Sequence, residues 1–124
     1  MKNGKLWAFH LIAGFFLFFL LFAHLSLMHF SAGASAPMTD PSNPLNWMSV
    51  LSRSKDLIMT VLYTFFVGFG LYHGFYGLFG ILTEINSLRP YRRAIGVALV
   101  VLGLLFFLYG TFAAWYGYFT LQSA

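Results

Sequence analysis

The chain has 124 residues, is 60% hydrophobic and 8% charged, and contains 16 Phe, 7 Tyr, 3 Trp and no cysteine. So little charge excludes an ordinary soluble domain and points to the membrane class. The absence of thiols excludes disulfides, thiolate metal sites, cysteine-held iron–sulfur clusters and covalently attached c-type haem. Seven Lys and Arg against three acids give a formal net charge of +4. These basic residues sit in short segments between apolar runs, where they set membrane orientation, and no nucleic-acid motif accompanies them.

The chain reads as a single membrane domain over 1–124, with spans at about 7–29, 57–82 and 95–118. Each is long enough for a ~30 Å hydrocarbon core, which takes about 20 helical residues. The first span follows Lys2 and Lys5. Together with "ASA" at 34–36 it resembles a secretory signal peptide, but its apolar run exceeds the ~7–15 residues of such a segment, so it is expected to be a true spanning helix. Residues 30–56 form an outer loop rich in Ser, Pro, Asn and Ala. Within it "PLNWMSVLSR" predicts a short interfacial helix that places Trp47 at the headgroup level. Residues 83–94 form a short basic cytoplasmic loop, and Pro90 marks the break before the third span.

Lys2, Lys5, Arg89, Arg92 and Arg93 fall on one side of the membrane, against Arg53 and Lys55 on the other. The positive-inside rule therefore puts the N-terminus and the 83–94 loop in the cytoplasm. Trp7 then falls near the inner boundary, and Trp47, Trp115 and Tyr118 near the outer one. The predicted fold class is an all-α integral membrane three-helix bundle with a cytoplasmic N-terminus.

Ionisable residues inside a span are costly and usually face the bundle interior. His73 shares its helix face with Gly70, Gly77 and Gly80. Glycine on such a face permits close helix approach; beside an imidazole it also leaves a flat slot of the kind a porphyrin edge needs. With no cysteine present, haem b is the expected occupant. His10 and His24, 14 residues apart, share one face of the first helix, whereas His29 is turned about 140° from His24. His29 sits at the outer end of its span and His10 near the inner interface, which leaves His24 as the better ligand candidate.

At 1.5 Å per residue His73 lies about 15 Å, and His24 about 25 Å, from the inner ends of their helices. An axial offset of about 10 Å prevents the two from ligating one iron. Two ligands would therefore mean two haems, each completed by another chain. Gly96, Gly103, Gly110 and Gly117 recur every seven residues on the third helix and are expected to be packing positions.

"HLSLMHFSAGASA" followed by "LYHGFYGLFGILTE" resembles the cytochrome b membrane-anchor subunits of succinate dehydrogenase and fumarate reductase, most closely the two-haem, menaquinone-linked branch. The resemblance rests on His24 and His29 five residues apart, and on Tyr72–His73 with Tyr76–Gly77. It covers about the first 85 residues. By implication His24 would be an axial ligand of a distal haem b and His73 of a proximal one. The chain would pair with a flavoprotein, an iron–sulfur subunit and a second small membrane subunit in the cell inner membrane. Electrons taken from succinate would pass to a quinone, menaquinone in that branch.

Single-chain members of the family have five helices and all four haem ligands. Three helices and two candidates resemble one half of a split anchor. One-haem two-chain members carry an Asp eleven residues after the second-helix His, where this chain has Glu84 followed by Ile85. Glu84 is a candidate for proton handling near a quinone, against a solvated helix-end carboxylate. Arg89, Arg92 and Arg93 are candidates for contact with the iron–sulfur subunit or anionic lipid, beyond setting topology.

The alternative is a haem-free structural or assembly subunit of a respiratory complex, with His24 and His73 as hydrogen-bonded packing residues. A small transporter or channel subunit is disfavoured, because Asp56 and Glu84 both sit at span ends.

Overall fold

The computed structural model describes residues 4–29 and 45–123. Residues 30–44 of the expected 30–56 loop, including the "ASA" at 34–36, lie outside the described residues, as does the side chain of His29. The described chain is helical throughout: α1 (Gly4–His29), α2 (Trp47–Ser54), α3 (Leu57–Glu84), a single 3₁₀ turn (Arg89–Tyr91) and α4 (Arg92–Gln122). Three helices, α1, α3 and α4, are long and apolar enough to cross a membrane. Their 26, 28 and 31 residues correspond to about 39, 42 and 46 Å of rise, more than a ~30 Å core requires.

Local chemistry sets the helix ends. Asp56 caps α3, its Oδ1 accepting from the backbone N–H of Ile58 at 2.7 Å and of Met59 at 3.1 Å. One of the three acids is thereby committed to satisfying orphan helix donors. Asn46 caps α2 in the same way, accepting from Met48 N–H at 3.2 Å. Pro90 lies in the 3₁₀ turn that reverses the chain between α3 and α4, where its missing N–H costs nothing. Within α3 the hydroxyls of Thr60, Thr64 and Thr83 donate back to the carbonyls of Asp56, Thr60 and Phe79, which satisfies them inside an apolar environment.

The three long helices stand in a row with α3 in the middle. α1 packs on one side of α3 and α4 on the other, while α1 and α4 have no packing interface among the described residues. The α3–α4 seam is built on the glycine heptad. A Cβ at Gly96 would lie 3.3 Å from the ring of Phe79, at Gly103 3.0 Å from Phe75, and at Gly110 3.3 Å from Val67. Gly68 reciprocates from α3 against Phe107 at 3.3 Å. Small residues receiving large ones let the backbones approach, the usual solution where lipid offers no hydrophobic driving force.

α2 closes the far end of this seam. Ser54 sits against Gly117, Gln122 donates to the Lys55 carbonyl at 3.4 Å, and Trp115 donates from Nε1 to Thr64 Oγ1 at 3.1 Å. Trp115 is thus tied across the seam to α3.

Candidate functional site

The α1–α3 interface carries three histidines of the spans, His73 from α3 and His10 and His24 from one stripe of α1. His10, Ala13, Gly14, Leu17, Leu20 and His24 are the inward positions of that stripe, while Phe15, Phe18, Phe19 and Phe22 are exposed. Ala13 is wholly buried. The small pair Ala13–Gly14 brings the two backbones close enough for the imidazoles of His10 and His73 to meet.

They meet face to face. The rings are stacked with centroids 4.1 Å apart and planes 5° from parallel. His73 Nδ1 lies 3.1 Å from the backbone carbonyl oxygen of His10. A carbonyl only accepts, so Nδ1 carries the proton and the lone pair of the neutral ring sits on Nε2. Among the described residues Nε2 has no hydrogen-bond partner. On its other side His73 sits over Gly14, where a Cβ would come within 2.8 Å of the ring. Tyr76 lies 4.9 Å from His10, and Tyr72 donates to the Leu6 carbonyl at 2.9 Å, tying the start of α1 to α3. His10 Nδ1 is buried without a hydrogen-bond partner.

The flat slot expected beside His73 is filled by α1. Gly77 faces His10 at 3.6 Å, Gly70 faces Leu17 at 3.9 Å, and Gly80 alone of the strip stays open. The glycines serve helix approach there, because α1 brings its own small residues to the same level.

His24 lies apart, between Tyr63 and Phe66 with ring centroids at 6.0 and 5.9 Å. It is half-buried and makes no hydrogen bond among the described residues. The ten residues from Tyr63 to His73 rise about 15 Å, and the fourteen from His10 to His24 about 21 Å. The structure therefore brings His73 together with His10 and leaves His24 at a different depth. Glu84 ends α3 exposed and without a hydrogen bond among the described residues, well away from either histidine. Among the described residues no three His, Asp or Glu converge on one point.

His10 is the residue that the sequence reading undervalued. Its position near a span end suggested an interfacial role, yet it contacts His73 directly. The available signal was the stripe itself: a face that turns His24 inward also turns His10 inward, with Ala13 and Gly14 beside it.

The donor set fits a haem b in its chemistry. His73 offers Nε2 while a carbonyl fixes its Nδ1–H, the arrangement in which a ligating imidazole is oriented by its other nitrogen. His24 has no competing hydrogen bond. Neither has a second ligand within the described residues, so each iron would need one from outside.

Three long apolar helices in a row, with half-buried imidazoles at two depths, define a multi-pass α-helical membrane protein. No protein-family model matches the chain, and no solved structure matches it. It is, however, 30% identical over 115 residues, covering 92% of its own length and 87% of the relative's, to the succinate dehydrogenase hydrophobic membrane anchor subunit of Thermoplasma acidophilum. The chain belongs to the family of succinate dehydrogenase hydrophobic membrane anchor subunits.

Proposed function

We propose that this chain is the cytochrome b half of a split membrane anchor in a succinate:quinone oxidoreductase of the cell inner membrane. In this reading it binds no succinate. It docks a flavoprotein and an iron–sulfur subunit, pairs with a second small membrane subunit, holds haem b and helps to form the quinone site, with menaquinone as the acceptor. Bound haem would supply one-electron transfer between the iron–sulfur subunit and quinone. His73 Nε2 and His24 would be axial ligands, the former oriented by the His10 carbonyl. Glu84, exposed at the end of α3, is proposed to handle protons near the quinone.

The observation that carries this reading is the state of the imidazoles. Among the described residues His73 and His24 each keep a nitrogen free of any hydrogen bond, as does His10, whose Nδ1 is buried. An unsatisfied polar group is expensive in hydrocarbon, and an iron–nitrogen bond would remove that cost.

The test is the reduced-minus-oxidised optical spectrum of the purified complex. A b-type α-band is expected, with His73→Ala and His24→Ala each abolishing a different component. Absence of the band sinks the haem assignment, and loss of one common haem in both variants sinks the two-depth assignment. The second reading, a haem-free structural subunit, is favoured by the His10–His73 stack, since α1 already occupies the groove beside His73. It requires the complex to show no such band.

A further inference from the structure

The α3–α4 side of the row carries a feature that the histidines do not explain. Beside the glycine seam runs an apolar crevice of about 590 Å³, floored by Gly68, Gly96 and Gly103 and walled by Phe75, Phe79 and Phe107. At the chain-reversal end it runs into a second groove of about 700 Å³, formed by Pro90, Arg92, Arg93 and Val97. Phe79, Gly96 and Val100 line both, so the two are continuous. Arg92 holds its guanidinium over the Phe79 ring, 5.5 Å from the centroid, and neither arginine forms an ion pair among the described residues.

We propose that this composite groove binds one anionic glycerophospholipid, its phosphate between Arg92 and Arg93 and one hydrocarbon chain in the α3–α4 crevice. Three observations select that occupant. The site is cationic at one end and mainly apolar beyond, with Tyr72 and Tyr76 as polar side chains along its wall; this is the polarity of such a lipid, and basic pockets between helices at a membrane face suit acidic head groups. From Gly96 to Phe107 the crevice follows eleven residues, about 16 Å of rise, close to the ~15 Å of one leaflet in a ~30 Å core. A partner helix would instead need a seam running the full thickness of the bilayer. Arg92 also has no ion-pair partner among the described residues, and a phosphodiester supplies one with acceptor geometry suited to a guanidinium fork. The site needs neither haem nor quinone and stands or falls separately from them.

The experiment uses the purified multisubunit complex, exchanged into mixtures of phosphatidylglycerol and phosphatidylcholine with matched chains and read by native mass spectrometry. Wild type should retain phosphatidylglycerol roughly thirtyfold over phosphatidylcholine, the scale expected of two surface arginines. The Arg92→Gln/Arg93→Gln variant should lose that preference. Val100→Trp, at an outward position (62% exposed) that lines both grooves, should reduce retention of both lipids, with size-exclusion elution of the intact complex as the folding control. A photoreactive residue at Val100 in otherwise wild-type protein should give a lipid adduct. Equal retention of the two lipids, an unchanged preference in the arginine variant, or an adduct exclusively to another protein chain would each overturn the proposal.

Discussion

Gly14 shows how much one side chain matters at the α1–α3 crossing. An added methyl would lie 2.8 Å from His73 Cε1 and 3.1 Å from Nδ1, so Gly14→Ala must move the imidazole or part the helices. Overpacking of this kind costs about 1–3 kcal/mol, and the displaced ring would give up its bond to the His10 carbonyl. Gly74, one residue beyond His73, meets nothing within 4 Å, and alanine there should be neutral or slightly stabilising by helix propensity. The expected outcome is a lower thermal midpoint for the Gly14→Ala complex in detergent, with Gly74→Ala unchanged or raised. Equal behaviour of the two variants would refute the close-approach role of Gly14. Asp56 gives a second check at this scale. Its carboxylate takes two backbone N–H groups at the start of α3, so Asp56→Ala should cost about 0.5–2 kcal/mol while Asp56→Asn keeps most of it, as measured by denaturation of the solubilised protein.

At the scale of elements, the α3–α4 seam is set by pairs of glycine and large residue, and Gly103 with Phe75 is the tightest. The Phe75 ring would lie 3.0 Å from a Cβ at Gly103. Gly103→Ala alone should destabilise; combined with Phe75→Leu, which removes the ring, it should cost less than the sum of the single changes. Contacting pairs show coupling of about 0.5–3 kcal/mol, and a double-mutant cycle on the same denaturation measurement reads it directly. Additivity would mean that the two residues do not share a contact.

This seam was legible in the sequence, because a glycine every seven residues defines one helix face whatever the partner. The spans were legible for a similar reason: apolar length alone decides them. The surroundings of His73 were not. A glycine strip marks a place where something approaches closely, and periodicity cannot tell a cofactor from the small face of another helix. Here Ala13 and Gly14 of α1 occupy the level of His73, and the register of two antiparallel helices depends on side-chain fit that no single-helix pattern contains. The pairing of His10 with His73 was hidden by the same gap.

For the whole molecule, the decisive property is that the row is open. α1 and α4 flank α3 without packing on each other, and the wholly buried apolar side chain is Ala13 alone among the described residues. Such an assembly is covered by lipid along part of its surface and, in a family of anchor subunits, by other subunits along the rest. The histidines make the same demand from within. His73 and His24 stand about 15–20 Å apart in helix rise, no described residue offers either a second ligand, and His73 is closed on one face by His10. If both bind haem, each ligand set is completed across an interface, and haem retention becomes a property of the assembled complex. Expressed alone in membranes, the chain should show little or no low-spin b-type spectrum. Co-expression with the second membrane subunit proposed above should restore it, in two components that respond separately to His73→Ala and His24→Ala. A full bis-histidine spectrum from the isolated chain would show that the chain closes its own ligand set. The helices would then have to rearrange from the open row, because the stacked, parallel imidazoles of His10 and His73 present their faces to one another and cannot take opposite sides of one iron.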